Sequence, residues 1–307
     1  MILEENELKI ESLENQLRNT DIEDPSYKII KKELNELMKS TYSNLTPWDR
    51  VCIARSEKRI KAKHLISSLF NGFIELHGDR LFGDDQSIIS GIGYIKDMPV
   101  TIIAQAKGDN LNENLKRNFG MTSPEGFRKS LRIAKEAEKF NRPIITIVDT
   151  SGAYPGKGAE ERGQATAIAE NLLEFSKLNV PVISIILSEG GSGGALALTV
   201  SDYIYMFENA IYSVLSPEGF TSILFKDKIS VSDAAGFMKL TSNDLLNYGI
   251  CDEIIKEPLG GIRYISNEFS EELINKLYDK INELKSIDNN KLLDERYNKF
   301  RKIGSDL

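Results

Sequence analysis

The chain has 307 residues, of which 41% are hydrophobic and 28% charged, and its formal net charge is -7 at pH 7. This length can bury a large hydrophobic core, as one large domain or two small ones. The negative balance argues against a surface that neutralises nucleic-acid phosphates. Only two cysteines occur, Cys52 and Cys251, so the sequence offers neither a disulfide framework nor a CxxC half-site for zinc. We therefore expect a reducing compartment and no metal in this chain.

The N-terminal segment is acidic and lacks the basic stretch followed by an apolar stretch that marks a leader sequence. The longest apolar run, around residues 180–187, is far below the about 20 residues that a membrane span needs. These features predict a cytoplasmic protein without a membrane span.

Both ends of the chain show apolar residues at three- and four-residue spacing, which is typical of amphipathic helices. The first residues predict two such helices separated by the break DIEDP at 21–25, and Leu277 and Ile281 lie in another near the end. We therefore expect a helical N-terminal arm at 1–44, a central domain at 45–265 and a helical C-terminal extension at 266–307.

Strand and helix patterns alternate in the central domain, which predicts an α/β layer fold with ligand sites at strand ends. In chain order the pattern gives strands at 87–95 and 99–107, a helix from Ser123, a strand at 142–150, a helix at 159–175, a strand at 180–189, a short apolar helix from Ala195, and short strands at 203–207 and 211–215. Glycine-rich turns, 151–158 and 190–194, follow two of the buried strands.

The second glycine turn fits G-x-S-x-G, the nucleophile elbow of α/β-hydrolases, with Ser192 at its centre. A serine nucleophile needs a base, and the only histidines, His64 and His77, both precede Ser192, whereas the hydrolase triad runs serine, acid, histidine. A lysine base stays open as an alternative. The glycine spacing also fails the P-loop, because Gly158 stands where Ser or Thr would hold magnesium, and it fails the Rossmann fingerprint.

Glycines at the start of a helix expose backbone N–H groups that have no partner inside the helix. Such groups stabilise an oxyanion, although glycines also serve close helix–strand packing. Two glycine turns at successive strand ends favour the oxyanion interpretation. A side chain on Gly194 would then crowd the approach of the ligand oxygen.

The segment from Val180 to Gly219, VPVISIILSEGGSGGALALTVSDYIYMFENAIYSVLSPEG, resembles the crotonase-superfamily signature. The segment 119–164, with its block GAYPGKGAEERGQ, and EPLGG at 257–261 resemble the α subunit of bacterial acetyl-CoA carboxylase carboxyltransferase. The similarity runs from Leu45 to the tail DERYNKFRKIG and so covers nearly the whole chain. It departs from the family at Ser151, where proline is usual, and at 56–64, SEKRIKAKH, where the family is rich in histidine and proline.

The resemblance implies a crotonase-like domain at 45–265, a β-β-α superhelical spiral of the ClpP/crotonase type. The implied reaction moves a carboxyl group from carboxybiotin, held on a carrier protein, to acetyl-CoA, giving malonyl-CoA for fatty-acid synthesis. The biotin anion that remains can itself remove the acetyl-CoA proton, so no protein base is needed. The implied partners are a zinc-ribbon β subunit in an α2β2 complex, the biotin carboxyl carrier protein and biotin carboxylase.

Carried over to this chain, the resemblance implies that the backbone amides of one turn stabilise the ureido oxyanion. These donors are Gly193, Gly194 and Ala195. Further residues that would bind the substrate are Gly152, Ala153, Tyr154, Gly156, Gly191 and Ser192. Tyr154 is either a wall of the biotin channel or ordinary packing, and Glu160 and Glu161 favour the first turn of their own helix.

Two groups of basic residues have open roles. Arg128, Lys129 and Arg132 face phosphate groups, a partner subunit or solvent, and the cluster at 58–63 is either a solvated helix face or an anion site. Alternative functions are a stand-alone crotonase-type acyl-CoA enzyme, a carboxyltransferase for another acyl-CoA, and a scaffold without catalysis. The helical arms and the intact glycines favour the carboxyltransferase subunit.

Overall fold

A computed structural model describes residues 2–305 of the chain. Its helices are α1 (Ile2–Arg18), α2 (Pro25–Tyr42), α3 (Pro47–Arg55), α4 (Ala62–Leu69), α5 (Leu111–Lys116), α6 (Pro124–Lys139), α7 (Lys157–Glu161), α8 (Gln164–Phe175), α9 (Ser192–Leu196), α10 (Pro217–Phe225), α11 (Val231–Met238), α12 (Ser242–Asn247), α13 (Asn267–Lys285) and α14 (Asn289–Lys302). Its strands are β1 (Asn71–Glu75), β2 (Ile88–Ile95), β3 (Met98–Gln105), β4 (Ile144–Thr150), β5 (Val182–Gly191), β6 (Tyr203–Phe207), β7 (Ile211–Ser213) and β8 (Glu253–Ile255). The predicted alternation of strands and helices is confirmed.

The strands form one mixed sheet in the order β1-β2-β3-β4-β5-β6-β8, and β7 pairs with β5. β1, β2 and β3 are antiparallel, whereas the pairs from β3 onward are parallel. β4 is buried along its whole length and β5 up to its last residue, as expected for parallel strands rich in β-branched residues. Because parallel strands point the same way, β3, β4 and β5 all end at one edge of the sheet. This edge carries both glycine turns.

The helix predicted over 159–175 is interrupted in the structure. α7 ends at Glu161 and α8 begins at Gln164, with Gly163 between them at a φ of 82°. Only glycine adopts this left-handed region without a steric penalty from Cβ. The break brings the Gln164 side chain to the first glycine turn, where Nε2 donates to the carbonyl oxygen of Tyr154 at 3.0 Å.

The two N-terminal helices form a hairpin at the predicted break. The Asp24 carboxylate accepts a hydrogen bond from the Ser26 amide at 2.8 Å, and Pro25 occupies the first turn of α2, where a missing N–H costs nothing. Ile10 and Leu34 of this hairpin pack with Ile53 of α3 in one buried cluster.

No helix between Ile2 and Ser305 is long and apolar enough to cross a membrane. The domain boundaries expected after residues 44 and 265 remain predictions.

A buried arginine attaches the last helix to the sheet. Arg296 of α14 is 1% exposed, and its guanidinium pairs with Asp202 at 2.7 Å while donating to the carbonyl oxygens of Phe175, Leu178 and Val180. Asp202 in turn accepts from the Val182 amide, at the start of β5. One side chain therefore connects the C-terminal extension to the entry of the strand that carries the second glycine turn.

We expect Arg296→Met to lower the free energy of unfolding by about 3–5 kcal/mol, because it leaves the Asp202 carboxylate buried without its cation. Arg301→Met changes an exposed arginine of the same helix and should shift stability by less than about 0.5 kcal/mol. Urea unfolding of both variants, followed by circular dichroism, measures the difference. Equal stability of the two variants would contradict the structural role assigned to the Arg296–Asp202 ion pair.

Candidate active site

The two glycine turns touch each other backbone to backbone. A Cβ atom on Gly191 would lie 2.1 Å from the carbonyl oxygen of Ser151, and one on Gly194 would lie 2.5 Å from the amide nitrogen of Ala153. No larger residue fits either contact without moving the opposing main chain. The structure thus brings together four predicted site residues: Gly152, Ala153, Gly191 and Gly194.

Backbone amides at the start of α9 are left without partners. Within residues 2–305, the amides of 192–195 donate to no acceptor outside the helix. Ser192 is exposed and Gly193 half-buried, whereas Gly194 is buried and Ala195 has no exposed surface. Ser192 and Gly193 are therefore the most accessible positions, Gly194 lies behind them, and Ala195 lies beneath the site.

Ser192 has the backbone of a nucleophile but not its partners. Its φ of 53° lies in the left-handed region, as in a strained strand-to-helix elbow. In the part of the chain that the structure describes, its hydroxyl makes no hydrogen bond; His64 contacts Asp109 and His77 contacts Asp84. The triad that a hydrolase would need is not assembled here.

Tyr154 and Gly156 lie together at the rim of the first turn. The half-buried Tyr154 ring covers Gly156 so closely that a Cβ there would lie 2.4 Å from the ring. The Tyr154 amide donates to the carbonyl oxygen of Thr122 at 3.0 Å, and Gln164 binds both of these residues' carbonyl oxygens. The path of the first turn is therefore held by main-chain and carboxamide hydrogen bonds.

An ionic cluster with a buried centre lies under both turns, at the ends of three neighbouring strands. Lys107, just beyond β3, contacts Glu189 of β5 at 2.5 Å and Asp149 of β4 at 3.1 Å. Glu189 also pairs with Arg55 of α3 at 2.7 Å, and Arg55 pairs with Glu218 of α10 at 2.7 Å. Asp149 immediately precedes Thr150 and the first turn, and Glu189 precedes the second. We call this set of five side chains the strand-end cluster.

The cluster keeps Lys107 and Glu189 charged at neutral pH. Burial alone would favour the neutral form of Lys107, but the carboxylates of Asp149 and Glu189 outweigh it and raise the pKa of Lys107. Burial likewise opposes ionisation of Glu189, yet the cations of Lys107 and Arg55 hold its pKa below the usual value. The stabilisation from Glu189 is therefore present above its unfolded pKa and is lost as the pH falls through the folded one.

Three basic residues in the first half of α6 are each paired within the protein and are not free to bind phosphate. Lys129 is fully buried and contacts Asp84 at 2.6 Å, and Arg128 contacts Asp79 at 2.8 Å. Arg132 donates to the carbonyl oxygen of Gly78 at 3.0 Å. All three hold the loop at 77–86, in which hydrogen bonds from the backbone and Arg128 overcome the effect of burial and lower the pKa of Asp79 to about 2. The expectation of a surface role was wrong for Lys129.

In the basic cluster at 58–63, Lys58 is exposed, but Arg59 is not part of a solvated helix face. Arg59 is 3% exposed and forms an ion pair with Glu257 at 2.6 Å. It donates to the Leu187 carbonyl oxygen at 2.6 Å and to the Ser188 hydroxyl at 2.9 Å. The segment that departs from the family pattern thus supports β5 immediately before Glu189.

Sequence reasoning missed the polar residues that support the turns. Gln105, Lys107, Asp149 and Glu189 were only parts of predicted strands or their ends. The available signal was a polar residue at the carboxyl end of an otherwise apolar strand, repeated on three strands. In the described range, no group of three or more His, Cys, Asp or Glu side chains has the arrangement of a metal site.

A family model described as acetyl co-enzyme A carboxylase carboxyltransferase-like matches residues 2–304. Named relatives agree over most of the chain. The acetyl-coenzyme A carboxylase carboxyl transferase subunit alpha of Clostridium botulinum (strain Eklund 17B / Type B) is 55% identical over 260 residues, which cover 85% of this chain and 95% of the relative. The same subunit of Staphylococcus epidermidis (strain ATCC 35984) is 50% identical over 301 residues, 97% of this chain and 95% of the relative.

Solved structures share the fold at low sequence identity. A transcarboxylase 12S structure with methylmalonyl-coenzyme A superposes with a TM-score of 0.59 at 17% identity, covering 74% of this chain and 44% of that one. The chain thus spans less than half the length of the transcarboxylase chain. A Pseudomonas malonate decarboxylase hetero-tetramer in complex with coenzyme A gives a TM-score of 0.58 at 15% identity, covering 70% and 86%.

The mixed sheet with two touching glycine turns at its edge places the chain in the α/β fold class that these transcarboxylase and malonate decarboxylase structures share. The predicted fold class is thereby confirmed. Within that class, the chain belongs to the family of acetyl-CoA carboxylase carboxyltransferase α subunits. The resemblance found in the sequence is confirmed as well.

The geometry changes what a substitution at Gly194 would do. A Cβ there meets the opposing main chain at 2.5 Å, not the approach of a ligand, so we expect Gly194→Ala to lower the free energy of unfolding by about 1–3 kcal/mol. Gly193→Ala is the matched control, since its Cβ would have only Ile168 within reach, at 3.8 Å. Thermal unfolding of both variants tests this. Gly194→Ala as stable as Gly193→Ala would refute the contact.

Proposed function

We propose that the chain acts as the carboxyltransferase α subunit of acetyl-CoA carboxylase. In this role it transfers the carboxyl group of carboxybiotin, carried on a separate protein, to the methyl carbon of acetyl-CoA, and malonyl-CoA is the product. The family membership supports this reaction. The observation that carries the proposed site is the set of unpartnered amides at Ser192, Gly193 and Gly194, at the point where two glycine turns meet.

These amides suit the charge that develops during the transfer. When the carboxyl group leaves N1 of biotin, negative charge moves to the ureido oxygen, and fixed N–H groups aimed at that oxygen stabilise it without reorganising. The ureido nitrogen then takes the proton from the methyl carbon of acetyl-CoA, and the resulting enolate carbon attacks the carbon of the released carboxyl group. This chain therefore supplies electrostatic stabilisation and not a proton acceptor, which agrees with the unassisted Ser192 hydroxyl.

The strand-end cluster contributes by fixing where the amides point. Lys107 contacts the end of β4 through Asp149 and the end of β5 through Glu189, so one cation links the positions from which the two turns start. Preorganised donors account for most of the value of an oxyanion site, because donors that must first rotate lose that advantage. The cluster lies beneath the turns and is not itself a proton donor in this proposal.

An exposed apolar surface next to the site supports the proposed partner. We call Val214, Ile223, Leu224 and Phe237 the α10–α11 patch; Ile223 is 71% exposed and Phe237 64%. Such clustered exposure marks a protein interface. The helix α10 that carries part of this patch is linked to the site, because Glu218 of α10 pairs with Arg55, which pairs with Glu189.

In this proposal the α10–α11 patch receives the zinc-ribbon β subunit, which holds the CoA thioester, in an α2β2 complex. The biotin carboxyl carrier protein delivers its biotin to the glycine turns, after biotin carboxylase has loaded it. The domain at 45–265 provides the site, and the helical segments at 1–44 and 266–307 support assembly.

Removing one amide hydrogen tests the oxyanion site. Gly193→Pro deletes that donor, and because proline also restricts the backbone of the preceding Ser192, the variant must first be shown to keep the turn and to assemble; we then expect turnover to fall about 100-fold or more. Ser192→Ala removes only the hydroxyl and should keep most of the activity. The assay is carboxyl transfer from malonyl-CoA to biotin by the complex with the β subunit, after each variant is shown to fold and assemble. An active Gly193→Pro beside an inactive Ser192→Ala would reject the proposed site.

A charge on the α10–α11 patch tests the partner. We expect Ile223→Glu to leave the thermal midpoint of the isolated chain within a few degrees, because its side chain is exposed, and to prevent co-elution with the β subunit in size exclusion. Leu111→Glu, which changes an exposed leucine in α5, is the matched control and should assemble normally. Full assembly of Ile223→Glu would place the interface elsewhere.

A further inference from the structure

The carbonyl oxygen of Gly194 loses its helical partner because α9 ends early. In a longer helix the Leu198 amide would donate to it, but here Leu198 donates to the Ala195 carbonyl oxygen at 3.0 Å instead. Among residues 2–305, no other backbone amide outside α9 reaches this oxygen. A buried carbonyl oxygen without a donor costs stability, so the position needs a side chain.

Gln105 supplies that donor from the neighbouring strand. Its Nε2 lies 2.7 Å from the Gly194 carbonyl oxygen, and the side chain is completely buried at the end of β3. Its own Oε1 is buried without a hydrogen-bond partner, which is a cost that an apolar residue would avoid. The second contact of Nε2, with the Thr122 hydroxyl, is long at 3.5 Å. The main hydrogen bond of this carboxamide is therefore the one to Gly194.

We infer that Gln105 is a positioning residue for transfer: by holding the Gly194 carbonyl oxygen it fixes the Gly194–Ala195 peptide and, through the Gly194 backbone, the orientation of the Gly193 and Gly194 amides that receive the oxyanion. This inference rests on the proposed oxyanion site. On one side, Gly194 faces the main chain of the first turn, which would lie 2.5 Å from a Cβ atom on Gly194. On another side, Gln105 donates a hydrogen bond to the carbonyl oxygen of Gly194. The two contacts together restrict the orientation of the peptide after Gly194.

Steric contact alone would not fix that peptide. Glycine has no side chain to restrict its ψ angle, so without Gln105 the peptide between Gly194 and Ala195 can rotate and move the preceding amides. Small misplacements of a positioned group reduce the rate far more than they reduce binding. The loss should therefore appear in kcat and not in the KM for malonyl-CoA, whose thioester the β subunit holds.

Gln105→Met keeps the length of the side chain and removes the donor. In the assembled complex we expect kcat for malonyl-CoA-dependent carboxylation of biotin to fall about tenfold or more, with KM for malonyl-CoA changed less than about twofold. Gln105→Glu adds a pH test, because a protonated carboxyl group donates to the Gly194 oxygen and an ionised one cannot. Burial favours the protonated form, so its kcat relative to the unsubstituted complex should rise as the pH falls, whereas that of Gln105→Met should not.

Thr146→Val is the matched control for a merely structural role. The Thr146 hydroxyl is also fully buried and also donates to a carbonyl oxygen at 2.7 Å, that of Leu198, after the same short helix. Its loss should lower stability but keep kcat within about threefold, since Ser184 still donates to Leu198.

Each outcome decides between the inference and the function on which it rests. An unchanged kcat in Gln105→Met beside an inactive Gly193→Pro would overturn the role of Gln105 and leave the oxyanion site standing. An equal fall in Thr146→Val would also overturn it, as would a Gln105→Glu profile parallel to that of the unsubstituted complex. An active Gly193→Pro would instead overturn the oxyanion site itself. If Gln105→Met does not assemble, the pH profile of Gln105→Glu decides.

Discussion

The contact between two stretches of bare backbone governs the rest of the structure. Residues 151–153 and 191–194 approach so closely that neither Gly191 nor Gly194 has room for a Cβ atom. Such an approach forms only if the strands that deliver the turns are adjacent, parallel and fixed in register, as β4 and β5 are. The buried sheet, the strand-end cluster and the arginines that bind the carbonyl oxygens around β5 all serve that condition.

The polar interior of the molecule follows from the same constraint. A turn built from glycine has little intrinsic stiffness, because glycine loses more conformational freedom on folding than any other residue. Rigidity must then come from neighbours, and the neighbours here are buried charges and carboxamides such as Lys107 and Gln164. Their desolvation is a cost that a purely structural core would avoid by using apolar side chains. In exchange for this cost, the buried charges and carboxamides hold the glycine turns in one direction through hydrogen bonds and ion pairs.

Much of this arrangement could be predicted from sequence, and the limits of prediction have physical causes. Local patterns predicted the N-terminal hairpin, α6, α8, α13 and the strands from β2 to β7, with both glycine turns, but not β1, β8 or the short helices α3 to α5 and α10 to α12. The interruption at Gly163 was missed because one residue in an otherwise helical pattern does not reveal its φ angle. Arg59, Lys129 and Gln105 were misjudged or overlooked because their partners, such as Glu257 and Gly194, are distant in the chain. Charge and polarity alone do not distinguish a solvated side chain from a paired one.

The attachment of α14 also has a consequence for how the chain is made. During synthesis from the N-terminus, Asp202 enters the folding sheet long before Arg296 leaves the ribosome. Until then the carboxylate lies where the finished protein buries it, without the cation that it contacts at 2.7 Å. Docking of the last helix is therefore a late step that closes the sheet. A chain shortened before Arg296 lacks both the cation that Asp202 contacts and the donor to the carbonyl oxygens of Phe175, Leu178 and Val180.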